Sequence, residues 1–409
     1  MLPDEHTSIR PADPATSDPW FPRARTAQEG PTILQVLPAL GEQGGVERGT
    51  VDVAAAIVAA GGRAVVASAG GARVPSLARI GAHHAALPMA SKNPMVMFKN
   101  VRRLEEVIRS HRVDLVHARS RAPAWSAWEA ARRAGVPFMT TFHGTYGAGS
   151  LLKLRYNSVM VRGRRVIAIS RFIAEHVHSV YGVSPERIRV IHRGVDLEHF
   201  DPRNVSVDRI VTQSGRFRLK DGLPLILLPG RLTRWKGQLV LIEAIRRLGR
   251  SDVQCVLLGS DQGRSAYRAE LESEIVKAGL GGVVRIIDRA DDLAAAYMLS
   301  DVVVSASTEP EAFGRVMVEA QALGRPVIGS DHGGSRETVV PGVTGWLTPP
   351  SDPDALAVAI NEALNLATPH RQQLAEAAMA HVRTHFTRDR MCAETLAVYD
   401  EVLAEGAAA

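Results

Sequence analysis

The sequence predicts an α/β protein made of two Rossmann-like, doubly wound domains of similar size. Three observations carry this expectation. From residue 31 onward, short β-branched runs alternate with alanine- and leucine-rich stretches at helical spacing. The alternation stops over 199–222, where the chain turns polar, and a second alternating series follows. The chain has 409 residues, 45% apolar and 22% charged, which is enough for two or three packed cores without a disulfide or zinc staple.

In the first series, strands are expected at 33–37, 64–68, 113–117, 138–142, 166–169 and 188–191, with helices such as 46–60, 95–110 and 124–134 between them. In the second, strands are expected at 225–228, 254–258, 283–287, 302–305 and 326–329, with helices such as 238–248 and 314–323. Residues 1–30 hold five prolines and no apolar signal-peptide core, and read as a mobile tail. The resulting division is a first domain over 31–200, a linker over 201–222, a second domain over 223–385, and a final segment, 386–409. That segment holds an amphipathic helix able to pack back on the first domain. The halves share no repeated motif, so their similarity is architectural.

Composition narrows the function classes. Cys255 and Cys392 lie far apart, which excludes a disulfide framework or a Cys-rich zinc site and suits a cytoplasmic protein. No apolar run approaches the length of a membrane span. The net charge of +6 is unevenly spread: residues 92–165 hold 15 Lys or Arg against four acids, or +11, leaving −5 for the rest. Apolar and basic residues mix over 151–162, with Trp125 and Trp128 nearby in sequence. Such a segment suits the anionic inner face of the cytoplasmic membrane, a solvated basic face being the alternative. No nucleic-acid-binding motif accompanies it.

Ligands of open α/β sheets bind beyond the carboxyl ends of the strands, and the distinctive motifs fall there. Gly44-Gly45 follows the first strand, where backbone amides can approach a ligand at a helix start; a plain turn is the alternative. His143-Gly144 follows the strand at 138–142. Gly230 and Arg231, then Lys236 and Gly237, follow the strand at 225–228, giving two cations five residues apart without the spacing of a phosphate-binding P-loop. Glu309-Pro-Glu311-Ala-Phe313-Gly314 leads into a helix carrying Glu319 among apolar neighbours. A carboxylate so placed needs a partner, either a ligand hydroxyl or a structural ion pair. Asp331-His-Gly333-Gly334 forms a further turn, with Glu337 beyond it. Asp352-Pro-Asp354 reads as a helix cap and not as a metal string.

The order and spacing of these motifs resemble the retaining glycosyltransferases of family 4, over about residues 32–364 and most specifically from Glu309 to Glu337. The resemblance implies the GT-B architecture, two Rossmann-like domains facing a cleft. It implies transfer from a nucleoside diphosphate sugar of UDP, GDP or ADP type, with no cofactor and no metal. The acceptor would be a hydroxyl of a glycan or lipid-linked compound, in lipopolysaccharide or other envelope polysaccharide synthesis. Arg231 and Lys236 would hold the diphosphate, Glu311 the donor sugar and Glu319 the ribose. The amides of Phe313, Gly314 and Gly45, with Gly44, would surround the sugar and phosphates, and His143 would lie near the reaction centre. Where the family often has asparagine this chain has Arg193, a cation able to touch phosphate or an acidic acceptor. After the strand at 283–287 it has Asp288-Arg289 in place of a glycine, in a loop that commonly helps hold the base. A nucleotide-sugar epimerase and a non-catalytic sugar-nucleotide binding protein are the alternatives.

Overall fold

The computed structural model describes residues 30–41, 44–147 and 149–407. The tail expected over 1–30 lies outside the described residues except for Gly30. Two parallel sheets organise the rest. The first comprises β1 (Thr32–Val36), β2 (Arg63–Ser68), β3 (His83–Ala86), β4 (Leu115–Ala118), β5 (Phe138–Phe142), β6 (Val166–Ala168) and β7 (Ile188–Val190), in the order β3-β2-β1-β4-β5-β6-β7. The second comprises β8 (Leu225–Pro229), β9 (Gln254–Leu258), β10 (Val284–Ile287), β11 (Val302–Ser305), β12 (Val327–Ser330) and β13 (Trp346–Thr348), in the order β10-β9-β8-β11-β12-β13. Strand order reverses beside β1 and beside β8, giving each sheet the switch point of a doubly wound fold.

The central strands read as near-continuous apolar runs because helices cover both their faces. β1, β8 and β9 are buried along their whole length. In the second sheet Ile226, Leu228, Leu257, Val302 and Ile328 pack with Leu241 and Ile245 of the helix Gln238–Leu248 and Ile360 of the helix Pro353–Leu364. Burying each such side chain contributes about 1.5–3 kcal/mol.

Sequence reading missed β3 and β13. The first, His-His-Ala-Ala, has no β-branched residue, and the second is three residues long. Both are sheet edges, specified by pairing with β2 and β12. The polar stretch expected as a linker contains the helix Val207–Phe217, which buries Gln213 and Phe217 and takes its first-turn cap from Ser206. Its apolar residues Val207, Ile210, Val211 and Phe217 fall at helical spacing, so the period was present in a stretch whose polar composition reads as a linker.

The chain divides into two compact units. One holds the described residues up to Thr141, with Arg155–Arg165 and the chain from Tyr399 on; the other holds Phe142–Leu154 and Val166–Val398. In the first unit, fully buried His117 of β4 meets the Tyr399 hydroxyl at Nδ1 and the Thr141 hydroxyl at Nε2, each at 2.7 Å. Burial, and then the charge of Arg119, hold this imidazole well below its ordinary 6.5, so it is neutral. Arg165 bonds Glu401 at 2.9 Å and also Glu405, adding a second tie to the last helix, Arg388–Ala407. Among the described residues no helix is long and apolar enough to cross a membrane.

Candidate functional site

The site is built at the carboxyl ends of β8, β11 and β12. After β8 the chain turns at Gly230, runs through the short 3-10 turn Arg234–Lys236, and reaches Gly237 at φ +72°. A Cβ on Gly237 would lie 1.7 Å from the carbonyl oxygen of Ala306, so only glycine lets the loop press on the end of β11. That contact delivers Lys236, whose Nζ donates to Glu311 Oε1 at 2.7 Å and lies 4.5 Å from the Trp235 ring centroid. Gln238 donates to the Arg231 carbonyl at 2.9 Å, while the Arg231 side chain is exposed and has no ion pair among the described residues. Arg234, close by in sequence, is taken by Glu270.

Glu311 is only 8% exposed. Besides Lys236, Ser305 at 2.8 Å and Ser307 at 2.6 Å donate to the same Oε1. Burial pushes this carboxyl up, but the Lys236 charge and these three hydrogen bonds outweigh it and hold it below the usual 4.5. Glu311 is therefore a carboxylate at neutral pH. Its backbone is clamped by the turn after β12: the Gly334 N–H donates to the Glu311 carbonyl at 2.8 Å, and a Cβ on Gly334 would sit 2.4 Å from Phe313 Cα. Phe313 is buried against Phe386 and His192. Gly314, left-handed, precedes the helix Arg315–Ala322, whose first turn no side chain caps.

Glu319 lies within that helix and is 3% exposed. Arg315 donates to its Oε1 at 2.7 Å and the Tyr297 hydroxyl to its Oε2 at 3.1 Å. The structure shows the ion-pair reading of this carboxylate, and a ribose hydroxyl would have to share its oxygens with Arg315 and Tyr297.

His143 lies just past β5, and Arg193 Nη2 is 2.8 Å from its Nδ1. The expected role of Arg193 as a direct acceptor or phosphate contact is thus joined by a protein partner. Glu337 accepts from the backbone N–H groups of Arg171 and Phe172 and from His192 Nε2, each at 2.8 Å. It anchors the first turn of the helix Arg171–Tyr181, whose cap Ser170 donates to the Ala312 carbonyl at 2.6 Å. Burial raises the Glu337 carboxyl, and the His192 and backbone hydrogen bonds more than offset this, leaving it below the usual 4.5.

Gly44 and Gly45 lie in the other unit, at the start of the helix Gly45–Ala59. Asp352 caps the helix Pro353–Leu364 through the Ala355 N–H at 2.9 Å, and Asp354 pairs with Arg247. Among the described residues no three His, Cys, Asp or Glu side chains are grouped to hold a metal ion. Sequence reasoning missed Ser305, Ser307 and Tyr297. The alternation of the two serines at the end of β11, six and four residues before Glu311, was the available signal; Tyr297 left none, because its partner lies 22 residues on.

Two doubly wound parallel sheets define a GT-B-type fold, with a cation–carboxylate pair and an exposed arginine at the strand carboxyl ends. Residues 43–199 match the family model Glycosyltransferase Family 4, and residues 211–381 match Glycosyl transferases group 1. A glycosyltransferase from Rickettsia africae ESF-5 is 37% identical, with a TM-score of 0.84 over 91% of this chain and 98% of that one. The Anabaena protein HepE, solved with UDP and glucose, is 25% identical, with a TM-score of 0.78 over 90% of this chain and 99% of that one. A D-inositol 3-phosphate glycosyltransferase of Xylanimonas cellulosilytica is 33% identical, over 70% of this chain and 71% of its own length. The chain belongs to this family of glycosyltransferases.

Proposed function

We propose that the protein is a retaining, metal-independent glycosyltransferase that moves a sugar from a UDP-sugar to an acceptor hydroxyl. The observation that carries this reading is the buried Lys236–Glu311 pair beside the open Arg231. Breaking the bond between the anomeric carbon and the diphosphate oxygen leaves negative charge on the diphosphate. Arg231, the remaining N–H groups of Lys236 and the backbone amides of Phe313 and Gly314 are the donors for that charge. Glu311, ionised and fixed through Oε1, serves as a hydrogen-bond acceptor for donor-sugar hydroxyls, and Glu319 for the ribose. With Glu311 tied to three donors, front-face attack is the better-supported route. The acceptor oxygen bonds the anomeric carbon on the face the diphosphate leaves, and its proton passes to the leaving phosphate oxygen. Uridine is favoured because HepE is solved with UDP and with UDP-glucose.

The acceptor we favour is a glycan or lipid-linked compound of the cell envelope, met at the anionic membrane surface by the basic segment. Met95 is 67% and Phe98 59% exposed, at the start of the helix Pro94–Ser110, among exposed Lys92, Lys99 and Arg102. Leu151 and Leu152, in the other unit, are also exposed. Trp125 and Trp128 do not add to this face: Arg162 stacks on both rings, and the Trp125 N–H donates to the Tyr156 carbonyl at 2.9 Å. A second acceptor, a small phosphorylated polyol, is favoured by the D-inositol 3-phosphate glycosyltransferases among the relatives.

The test is a transfer assay with UDP-glucose and related UDP-sugars, offering a lipid-extract acceptor and D-inositol 3-phosphate in parallel, with the product anomer read by NMR. Retention at the anomeric carbon and activity undiminished by EDTA are expected. An inverted product, or loss of activity restored by a divalent cation, would overturn the mechanism. Conversion of the UDP-sugar to its epimer without acceptor would overturn the activity.

A further inference from the structure

We infer that Arg193 acts on transfer through His143, as a positioning residue that fixes the imidazole in the neutral tautomer carrying its proton on Nε2. This rests on the reading of His143 as a residue of the reaction centre. A guanidinium has only N–H donors and nothing with which to accept. Arg193 Nη2 lies 2.8 Å from His143 Nδ1, so Nδ1 accepts. A neutral ring whose Nδ1 accepts bears its proton on Nε2. His143 then carries at Nε2, which is buried in this structure, an N–H donor in place of an acceptor. It has no lone pair at Nε2 with which to take the acceptor's proton, so the route from acceptor hydroxyl to leaving phosphate oxygen does not pass through this ring.

The backbone around Arg193 is fixed on both sides. His192 is held by Glu337. The Gly194 N–H meets Met391 Sδ at 3.3 Å, and a Cβ on Gly194 would lie 2.4 Å from Arg388 Cα. From this fixed backbone the long arginine reaches Nδ1. The asparagine common at this place in the family is three side-chain atoms shorter to its terminal nitrogen and stops well before that point. The substitution that set this chain apart in its sequence thus has a structural object, the His143 ring.

A double-mutant cycle tests the inference, with UDP release from UDP-glucose as the readout and thermal melts to verify folding. Arg193→Met is expected to lower kcat about tenfold or more while the donor KM changes less than about twofold. In a His143→Ala background the same substitution is expected to cost less than about twofold, because the inferred effect runs through the His143 ring. Arg193→Lys, which keeps a donor, is expected to recover part of the loss. An equal loss in both backgrounds, or a raised donor KM, would show Arg193 touching substrate and overturn the inference while leaving the role of His143 standing. A His143→Ala variant as active as the wild type would overturn both. Independently of turnover, the imidazole nitrogen-15 shifts of His143 are expected to report an Nε2–H ring at neutral pH; an Nδ1–H ring would overturn the inference alone.

Discussion

At the carboxyl ends of β8 and β11, Lys236, Ser305 and Ser307 converge on one oxygen of the buried Glu311. In the basic segment over 92–165, by contrast, Lys92, Lys99 and Arg102 stand exposed beside Met95 and Phe98. The two regions use the same chemical groups under different dielectric conditions. Where charge is buried, each donor is assigned to an acceptor, and removing one strands the other at a cost of several kcal/mol. Where charge is exposed, single cations matter little to stability, but their sum sets a salt-dependent attraction to anionic surfaces. Position in the fold thus separates cations committed to a buried partner from cations left to act as a sum on the surface.

The largest expected effect falls on the buried pair. Lys236→Ala should lower turnover by about 10²–10³-fold, as loss of one fixed charge-stabilising donor does. It should also destabilise the fold by about 3–5 kcal/mol in denaturant melts, because Glu311 is left as an unpaired buried carboxylate. Adding Glu311→Gln should restore much of that stability and none of the activity. Unchanged stability in the single variant would break the contrast between the regions.

Glu319→Ala should raise the donor KM and cost about 1–3 kcal/mol, since the buried Tyr297 hydroxyl loses its acceptor. A calorimetric titration with UDP, set beside a thermal melt, separates the two effects. Normal UDP affinity would assign this carboxylate to structure alone.

His117 gives the contrast a pH axis within the first unit. Its folded-state pKa lies well below 6.5, so the unfolded chain binds a proton that the folded chain refuses. The associated stability is complete above pH 6.5 and is lost as pH falls below it, at up to about 1.4 kcal/mol per pH unit. Thermal melts from pH 7.5 to 5 should show this slope, and His117→Gln should flatten it. The stability tied to the depressed Glu311 carboxyl has the same sign but lies below pH 4.5.

On the exposed side, Met95→Glu with Phe98→Glu should weaken flotation with phosphatidylserine-containing liposomes without moving the melting temperature. Binding should also fall as salt rises, with about 1 kcal/mol carried by each cation near the surface. No flotation of the wild type at low salt would remove the docking role. The smallest effect is expected from Arg162→Ala, about 0.5–1 kcal/mol for an exposed cation over two indoles, read by denaturant melt.

Much of this was legible in the sequence. The apolar runs at 225–228 and 254–258 announced buried parallel strands because both faces of such strands must be apolar. Gly237, Lys236 and Glu311 were legible as candidates for one site because they fall just after strands in a fold that binds ligands there. Edge strands β3 and β13 were not, since three or four residues carry too little periodicity to stand out and depend on their neighbours for pairing. Nor were Ser305, Ser307 and Tyr297, whose importance lies in which oxygen each one meets.

The sequence by itself determined the doubly wound α/β class, the positions of the glycine-bearing loops and the uneven spread of charge, because local periodicity and composition act over neighbouring residues. Only the tertiary structure decided that Lys236 and Glu311, 75 residues apart, form one buried pair, that Glu319 is already engaged by Arg315 and Tyr297, and that Arg193 meets His143. A hydrogen bond requires atoms within about 3 Å of one another, and for residues far apart in sequence that proximity is set by how the strands and loops pack.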